Sequence, residues 1–524
     1  MRSMLLWLAP MLLSAQVPYE RILRAASEPG NWLTYSGIYQ SHRYSSLDQI
    51  TRANVGRLKA AWIYQIRARH KFEATPLVFD GVMYLSEPPS DVTALDLRTG
   101  RPLWSYRRTI PEGIIACCGQ VNRGVAALDD QIFVGTIDAH LVALDMKTGR
   151  VRWDIAVADY KTGYSITPAP LAVKDKVIIG VAGAEYGVRG FLDAYDARSG
   201  RRTWRFWTTP GPGEPGNETW SGESWKTGGA TTWVTGSYDP KANLIYWGTG
   251  NPGPDYIGDV REGDNLYSDC LIALDADTGK LKWHFQFVPH DVNDIDATQI
   301  PVLVDAVFRA KSRKLVLFAN RNAFYYILDR LTGEFLLAKQ FARQTWARGI
   351  DTRGRPIPNP ATVPSIEGAV VYPDDDGAAN WHSPSYSPQT RLFYQNTRES
   401  GAIFYRTEAP YEPGKVFMGA SRRRIPGEEG WGALRALESL TGEKRWEFKL
   451  HTPPWSGILS TAGRLVFSGT MEGDFFALDA DTGKLLWRFQ TGGPIWAAPI
   501  SYLSEGKQYV AIAAGSSLVV FGLD

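Results

Sequence analysis

Short segments in which apolar and polar positions alternate recur along the chain, and each is followed by the same polar turn. A period of two residues is typical of β-strands with one buried face. The pattern therefore predicts repeated hairpins whose second strand ends on a tryptophan. Seven copies are present: ALDLRTGRPLW ending at Trp104, ALDMKTGRVRW at Trp153, AYDARSGRRTW at Trp204, ALDADTGKLKW at Trp283, ILDRLTGEFLL at Leu337 in place of a tryptophan, ALESLTGEKRW at Trp446 and ALDADTGKLLW at Trp487.

The turn shared by these copies, Asp-x-x-Thr-Gly in its commonest form, has a local explanation. The Asp side chain hydrogen-bonds the backbone that follows it, and glycine adopts the positive φ that the turn requires. One hairpin of this kind cannot bury its own apolar face, so successive copies must stack. The chain is therefore predicted to be all-β and built from repeated units.

An eighth unit can be assembled from the two ends of the chain. The stretch Ala498–Leu523 contains YVAIAAG and LVVFGL but lacks a tryptophan strand, which the segment LKAAWIYQI at Leu58–Ile66 resembles. Pairing the first strand with the last unit would close a ring and remove exposed sheet edges. We predict one eight-bladed β-propeller domain over residues 16–524. Seven blades are the alternative, and an open solenoid is less favoured.

Two intervals between copies are longer than the usual repeat of about 50 residues. Residues 201–250 and 341–430 contain extra Pro, Gly and charged residues, which indicates loops inserted between strands on one face. Such loops often shape binding sites. The run Arg422–Arg424 in the second interval is expected to be a solvated loop rather than a docking surface.

Composition and charge narrow the class of protein. A net charge of +2 over 524 residues makes no case for a nucleic-acid partner, while 19 Trp and 51 Gly suit many short strands with tight connections. Residues 1–15 combine Arg2, the apolar run Met4–Leu13 and the small residues Ser14 and Ala15, which predicts a signal peptide and export to the periplasm. A buried N-terminal helix is the alternative.

The sequence lacks the motifs of several common cofactors. It has no glycine-rich phosphate loop between a strand and a helix, and no Cys-x-x-Cys-His for covalent haem. Its seven histidines are scattered, which argues against a zinc site built from histidine. Any redox cofactor is expected to be neither a nucleotide nor a haem.

Cys117 and Cys118 are adjacent, and Cys270 is the third cysteine. A bond between neighbours is strained and adds little stability because the closed loop is minimal. Its value would be local, as a rigid, polarisable platform. Two reduced thiols in the core are the alternative, which this feature alone slightly favours. No role beyond packing is expected for Cys270.

Acidic residues are crowded in the segment PHDVNDID, Pro289–Asp296. Crowded carboxylates repel one another unless a cation or a proton compensates them, so a hard-metal site is one hypothesis and a solvated turn the other. Glu185 in GAEYGVRG and Asn251 in GTGNPGP offer further oxygen ligands, although each also suits an ordinary turn. The segment contributes His290, Asp291, Asp294 and Asp296.

Eight strings in this order carry a resemblance to a known family: CCGQVNRG, GAEYGVRG, GGATTW, GTGNP, PHDVND, ANRNAF, NWHSPSYSP and PWSG. With the propeller repeat, they resemble the PQQ-dependent methanol and ethanol dehydrogenases from about Asn31 to the C-terminus. The resemblance implies eight four-stranded blades, with the quinone cofactor PQQ and a metal ion in the central channel.

The resemblance also implies the residues of the site. Cys117 and Cys118 would form a disulfide against one face of the quinone, and Trp233 would stack on the other. The remaining cofactor-binding positions match Glu73, Arg123, Thr167, Ala182, Gly183, Ala184, Thr231, Arg321, Asn380 and Trp455. The family's metal ligands match Glu185, Asn251 and Asp294, and Asp296 is added in lanthanide-dependent members.

The implied reaction is the oxidation of an alcohol to an aldehyde. The metal and Arg321 would polarise the C5 carbonyl of PQQ, while Asp294 accepts the hydroxyl proton and the α-hydrogen leaves as hydride to C5. The electrons would pass to a separate c-type cytochrome. In this family an acid two residues after the catalytic Asp marks lanthanide-dependent members, so Asp296 favours a lanthanide over Ca²⁺. The alternative is that Asp296 points away and only solvates a loop.

Two positions depart from the family pattern and leave the substrate open. Asn293 stands where Trp is common, and Ala182 stands where Ser is common. Two other functions compete with alcohol oxidation, namely a non-catalytic scaffold of the bacterial envelope and a quinoprotein acting on aldehydes or sugars. A scaffold has no use for the cysteine pair, Glu185 or Asp294, which favours the enzyme. A homodimer is the expected assembly.

Overall fold

The computed structural model describes residues 16–67, 70–114 and 116–523, so the predicted signal peptide at 1–15 lies outside the described residues. The described chain is almost entirely β, with one short α-helix, α1 (Tyr19–Leu23). No helix in these ranges is long and apolar enough to cross a bilayer. Short 3-10 helices cover Ala25–Ser27, Val55–Arg57, Tyr160–Thr162, Ala184–Tyr186, Asn217–Thr219, Ser224–Thr227 and Pro360–Thr362.

Within the described ranges, eight sheets each contain four antiparallel strands, and we number these sheets in chain order. Two strands precede them, β1 (Tyr44–Ser45) and β2 (Lys59–Gln65). Sheets 1 to 4 are β3–β6 (Leu77–Phe79, Val82–Glu87, Asp91–Asp96, Pro102–Tyr106), β7–β10 (Ala126–Leu128, Gln131–Gly135, His140–Asp145, Val151–Ala156), β11–β14 (Leu171–Val173, Lys176–Gly180, Phe191–Asp196, Arg202–Trp207) and β15–β18 (Ser237–Asp239, Leu244–Gly248, Cys270–Asp275, Leu281–Gln286).

The second half of the chain repeats this plan with one elaboration between sheets 5 and 6. Sheet 5 is β19–β22 (Val302–Phe308, Lys311–Ala319, Phe324–Asp329, Phe335–Gln340), and β23 (Ala347–Ile350), β24 (Pro356–Pro358) and β25 (Ala369–Val371) follow it. Sheet 6 is β26 (Ser385–Ser387), β27 (Leu392–Glu399), β30 (Trp431–Glu438) and β31 (Lys444–Leu450), interrupted by β28 (Ala402–Arg406) and β29 (Ala420–Arg424). Sheet 7 is β32–β35 (Leu459–Thr461, Leu465–Gly469, Asp474–Asp479, Leu485–Gln490), and sheet 8 contains β36–β38 (Ile500–Ser504, Lys507–Ala514, Ser517–Gly522).

The two long intervals are only partly inserted loops. Strands β14, β15 and β16 lie within residues 201–250, and β26 and β27 lie within 341–430. The rest of the second interval forms a hairpin, β23–β24, and a three-stranded sheet, β25–β28–β29. The expectation of a solvated loop at Arg422–Arg424 is therefore wrong, because these arginines belong to β29, which pairs with β28.

The repeated turns form as their chemistry predicts. In sheet 1 the Asp96 carboxylate accepts hydrogen bonds from the Thr99 backbone N–H at 2.8 Å and from its hydroxyl at 2.7 Å. Gly100 has a φ of +69°. The hydrogen bond from Thr99 lowers the pKa of Asp96. Each hairpin is thus fixed by contacts within five residues of sequence.

The terminal tryptophan of one unit packs on the turn glycine of the next. A Cβ on Gly279 would lie 2.5 Å from the Trp204 ring. The Trp204 indole N–H donates to the Ala276 carbonyl in that turn at 3.2 Å. Where Leu337 replaces the tryptophan, the Tyr325 hydroxyl donates instead to the Ser439 carbonyl of the next turn at 2.7 Å. This contact links successive sheets.

The N-terminal strand joins the last sheet. β2 pairs antiparallel with β38, so that Lys59 lies opposite Gly522 and Gln65 opposite Ser517. Trp62 on β2 packs on Gly100 of sheet 1, where an added Cβ would lie 2.5 Å from its ring. Trp62 therefore makes the contact that the other terminal tryptophans make.

The architecture is that of an all-β propeller. The first strand of most sheets is fully buried, while the last strand has exposed positions. A separate cluster joins residues from widely spaced parts of the chain and positions the candidate site: Tyr35, Ala169, Val234, Ile300 and Trp381, with Trp233, Trp455 and Trp496 packed against them.

Candidate functional site

Glycines give the segment after β12 a shape that presents Glu185. Gly183 has a φ of +122°, and a Cβ there would lie 2.3 Å from the Gly163 carbonyl oxygen. The following 3-10 turn carries Glu185, whose backbone carbonyl accepts from the Phe417 N–H at 2.7 Å. Burial and the charge of Asp296 raise the pKa of Glu185 to about 7. Glu185 is thus held as a carboxylate near other acids.

Asn251 follows β16 and is anchored through its backbone. Its N–H donates to Asp296 Oδ1 at 2.9 Å, and its carbonyl accepts from the Ala230 N–H at 2.8 Å. The preceding residue is Gly250, where a Cβ would lie 2.5 Å from the same Asp296 oxygen. The absence of a side chain at this position lets the two loops approach. The predicted ligands Asn251 and Asp296 therefore lie side by side.

Arg321 lies among the acids of the PHDVNDID segment. Its Nη1 donates to Asp296 and lies 3.5 Å from Asp294 Oδ1, and its Nη2 donates to the Asp375 carbonyl. The neighbouring carboxylates, led by Asp294, raise the pKa of Arg321 against the effect of burial. The Tyr256 hydroxyl is 3.5 Å from Asp294 Oδ2 and 3.2 Å from Asp375 Oδ2. Asp296 therefore points into this network and does not merely solvate a loop.

The other members of the acidic run have structural partners. Asp291 is buried and accepts from the backbone N–H groups of Asn293 at 2.8 Å and Ile295 at 2.6 Å, which closes the turn. His290 Nδ1 is 2.8 Å from the Gly263 carbonyl oxygen. The Asn293 amide donates to the Thr362 carbonyl at 3.0 Å. The run thus divides into turn-forming residues and the pair Asp294 and Asp296.

A buried ion pair lies on a neighbouring part of the site. Arg123 Nη2 is 2.9 Å from Glu73 Oε2, and both side chains are almost fully buried. Arg123 also donates to the Trp233 carbonyl at 3.3 Å, and its guanidinium carbon is 5.1 Å from the ring centroids of Trp233 and Trp381. The Thr167 hydroxyl donates to the same Trp233 carbonyl at 3.4 Å. Burial raises the pKa of Glu73, although Arg123 acts against it.

Cys117 and Cys118 form a disulfide. Both residues are exposed, so the alternative of two reduced core thiols is wrong, whereas Cys270 is buried and free. Both sulfurs lie within 4.8 Å of a Glu185 carboxylate oxygen and of each other. Lys71 donates to the Cys118 carbonyl at 3.2 Å. The disulfide therefore lines the site beside a predicted metal ligand.

Three tryptophans form a wall in the same region. The rings of Trp381 and Trp455 are stacked with centroids 5.8 Å apart, and Trp455 and Trp496 are 5.9 Å apart. The Arg398 guanidinium carbon lies 4.1 Å from the Trp455 ring centroid. Asn380 donates to the Asp376 carbonyl and accepts from the Trp381 N–H, both at 2.8 Å, so its amide orients the start of this wall.

The remaining predicted contacts are made by the backbone. Ala182 exchanges backbone hydrogen bonds with Ser165 at 2.8 and 3.2 Å, and Ala184 is buried in the turn before Glu185. The Thr231 carbonyl accepts from the Gly250 N–H at 2.7 Å, next to Asn251. The structure thus places these residues next to the predicted ligands.

The sequence analysis missed several residues of this region. Tyr256, Asp375, Trp381, Trp496 and Arg398 enter it from loops whose strings carry no local signal. Asp255 is also buried beside the acids. Only Asp255 had a sequence clue, since it lies four residues after Asn251. The others depend on contacts between distant segments, such as Tyr256 with Asp375, 119 residues apart.

Comparison with known proteins agrees with this geometry. The family model described as glucose/ethanol/alcohol dehydrogenase, beta-propeller domain, which is the PQQ model, matches residues 32–340. A second model, outer membrane protein assembly factor BamB, matches residues 431–522. Of the predicted site residues, that second range contains only Trp455. The match to the dehydrogenase model covers more than half of the chain.

Individual relatives extend the similarity to nearly the whole chain. The quinoprotein alcohol dehydrogenase PedH of Pseudomonas putida is 40% identical, over 96% of this chain and 89% of that protein. The lanthanide-dependent methanol dehydrogenase of Methylacidiphilum fumariolicum is 38% identical, over 95% and 86%. A solved europium-containing methanol dehydrogenase superposes with a TM-score of 0.91 at 34% identity, covering 96% of this chain and 100% of that one. The chain belongs to the family of PQQ-dependent, or quinoprotein, alcohol dehydrogenases.

Proposed function

We propose that this chain oxidises alcohols to aldehydes, with PQQ and a metal ion bound between the disulfide, Trp233 and the Asp294 network. The observation that carries the proposal is the disulfide Cys117–Cys118, whose sulfurs lie within 4.8 Å of the Glu185 carboxylate. A propeller that serves only as a scaffold requires neither group. Family membership adds independent support.

The residues present fit a flat, polyanionic quinone. The Nε atoms of Arg123 and Arg321 are buried without a hydrogen-bond acceptor, which suits a ligand with carboxylates and carbonyl oxygens. Trp233 and the disulfide offer surfaces for stacking. Glu73, next to Arg123, limits the net positive charge. Thr167, Thr231 and Asn380 would add hydrogen bonds at the rim.

The metal would be held by Glu185, Asn251, Asp294 and Asp296. Carboxylate and amide oxygens are ligands for hard cations. Arg321 already pairs with Asp294 and Asp296, so the cation would bind where negative charge exceeds positive charge. We favour a lanthanide over Ca²⁺, because a trivalent ion needs the additional carboxylate of Asp296.

When bound, PQQ with its metal ion supplies an electrophilic carbonyl that accepts a hydride. Asp294 would accept the proton of the substrate hydroxyl, and the Tyr256 hydroxyl, 3.5 Å from Asp294 Oδ2, orients that carboxylate. Arg321 stabilises negative charge that develops beside it. The buried walls of Trp381 and Asn293 exclude water from the reacting groups.

Further parts of the proposal concern the whole protein. We propose that the eight sheets form a ring of eight blades closed by β2, within one domain over residues 16–524. Export to the periplasm by a signal peptide at 1–15, a homodimer and electron transfer to a separate c-type cytochrome complete it. The pairing of β2 with β38 supports closure of the ring.

The experiment that tests the function is reconstitution. Protein purified without cofactor is mixed with PQQ and either La³⁺ or Ca²⁺, and dye-linked oxidation of short alcohols is measured. We expect activity with La³⁺, and a loss of about 10³-fold or more in kcat for Asp294→Asn, which keeps the shape but removes the base.

Two results would contradict parts of this proposal. Equal or better activity with Ca²⁺, unchanged in Asp296→Ala, would reject the lanthanide assignment and keep the enzyme. Absence of PQQ binding with either ion would reject the quinoprotein function and favour a scaffold.

A further inference from the structure

Asp255 is a buried acid to which the proposed reaction gives no role. The residue is fully buried, and neither carboxylate oxygen has a hydrogen-bond partner of normal geometry in the described residues. A buried, ionised carboxylate without a partner is strongly unfavourable. Its position is therefore explained only by a proton or by a cation that the surroundings can hold.

The loop around Asp255 is fixed through its backbone, which leaves the carboxylate unpaired. Arg261 is also fully buried, and its Nε and Nη2 donate to the Pro254 carbonyl at 3.2 and 3.0 Å. Its Nη1 donates to Asn265 at 2.9 Å. Arg261 thus holds the loop by its carbonyl groups and does not form a hydrogen-bonded ion pair with the Asp255 side chain.

The residues on either side of Asp255 in the loop face the predicted metal site. Asn251 donates its N–H to Asp296, and the Tyr256 hydroxyl contacts Asp294. The Asn251 side-chain amide lies beside the Asp255 carboxylate, and the negative charges that act on it are those of Glu185 and Asp296. Burial, followed by Glu185, raises the pKa of Asp255. The carboxylate is therefore directed toward the predicted ligands.

We propose that Asp255 is a further metal-binding carboxylate of this site, beyond the four residues matched by the family pattern. This inference rests on the proposed function and deepens it. Glu185, Asp255, Asp294 and Asp296 with Arg321 give the site a formal charge of −3. A trivalent ion neutralises this charge, whereas a divalent ion leaves an uncompensated buried negative charge. Asp255 thus selects for trivalent ions.

The chain contains a matched control for this assignment. Asp269 is likewise fully buried, with both carboxylate oxygens unpartnered. The charge that acts on it most strongly is that of Asp291, the turn-forming acid, and not that of Glu185. Substitution of Asp269 therefore removes a buried negative charge of the same kind without removing the proposed ligand.

The test measures metal binding directly. Full-length wild type, Asp255→Asn and Asp269→Asn, each loaded with PQQ, are titrated with Tb³⁺ by tryptophan-sensitised luminescence, and La³⁺ and Ca²⁺ compete for the site. We expect Asp255→Asn to weaken La³⁺ binding about 100-fold and Ca²⁺ binding about 10-fold, so that selectivity falls about 10-fold. Asp269→Asn should change La³⁺ affinity by less than about 3-fold.

Thermal unfolding provides a second readout that does not depend on catalysis. Without metal, Asp255→Asn should melt at a higher temperature than wild type because an uncompensated buried charge is removed. The increase in melting temperature on adding La³⁺ should be smaller than in wild type. A purely structural role for Asp255 predicts a lower melting temperature in both states.

The outcomes separate this inference from the proposed function. Unchanged La³⁺ affinity in Asp255→Asn, or an equal loss in Asp269→Asn, would overturn the role of Asp255 while leaving a wild type that binds PQQ and metal. A wild type that binds PQQ but no metal would overturn the metal site altogether. A wild type that binds no PQQ would reject the proposed function itself.

Discussion

The approach of two loops at the site depends on a residue without a side chain. Gly250 precedes the predicted ligand Asn251, and a methyl group there would lie 2.5 Å from Asp296 Oδ1 and 3.2 Å from the Thr231 carbonyl oxygen. The backbone φ of Gly250 is not in the left-handed region, so only space requires glycine. Gly183 serves the segment before Glu185 in the same way, with the addition of a positive φ.

Gly250→Ala should therefore weaken metal binding without unfolding the protein. The methyl group would displace Asp296 from the Asn251 N–H, and a displaced supporting contact typically costs 10- to 100-fold in metal affinity, so we expect a loss of about 30-fold for La³⁺. Metal retained after dialysis of the PQQ-loaded protein gives the measurement. Gly349→Ala, where an added Cβ meets nothing within 4 Å, is the control and should retain metal normally.

Individual residues of the site differed in how well sequence could identify them. Asp294 and Asp296 were named as ligands from the resemblance, and the structure adds that Asp296 contacts Asn251 and Arg321. Their roles remain predictions until metal binding is measured. Asp255 was missed because a lone Asp after Gly-Pro resembles a solvated turn, and only its burial shows otherwise.

The unit of construction is the hairpin together with its contact to the next sheet. The turn is determined within five residues, as the Asp275 carboxylate accepting from the Thr278 N–H at 3.0 Å illustrates. The terminal tryptophan then packs on a turn glycine about 50 to 80 residues away along the chain, as Trp204 does on Gly279. Local chemistry thus makes the hairpin, and packing makes the sheet-to-sheet contact.

Gly279→Ala should cost more stability than the same change in an isolated turn. The alanine would have to adopt a φ near +68° and place its Cβ 2.5 Å from the Trp204 ring, so we expect a loss of about 3 kcal/mol in the free energy of unfolding. Gly81 has a φ of +77° with nothing within 4 Å of an added Cβ, so Gly81→Ala should lose only about 1 kcal/mol. Urea unfolding measures both.

Equal losses at Gly279 and Gly81 would show that backbone strain alone determines the cost. The contact between the tryptophan and the glycine would then contribute little to holding the sheets together. The interpretation of the tryptophan as the joint between units would have to be abandoned.

For the whole molecule, the main question is how the two ends of the chain meet. β2 supplies the fourth strand of sheet 8, and its Trp62 packs on Gly100 of sheet 1. An unpaired β38 would expose its backbone hydrogen-bonding groups and apolar residues at an edge. Closure by β2 removes that edge and explains why the first strand resembles a terminal strand of the repeat.

If the ring is closed in solution, Trp62→Ala should destabilise the protein about as much as Trp153→Ala. Both tryptophans are partly buried and both pack on a turn glycine of the next sheet, Gly100 and Gly200, so each change should cost about 3 kcal/mol. The midpoints of urea unfolding give the comparison. A loss at Trp62 of less than about 1 kcal/mol beside a full loss at Trp153 would indicate that the two ends separate.

The sequence by itself determined the hairpins, their repetition and the all-β class, because turn residues and alternating polarity act over a few neighbouring positions. It also indicated the candidate ligands through short strings. Only the tertiary structure decided that Cys117 and Cys118 are bonded and exposed, that Arg422–Arg424 form a strand, and that Asp255 is buried. The physical reason is that burial and side-chain partners depend on segments far apart in sequence, which meet only when the sheets pack around a common centre.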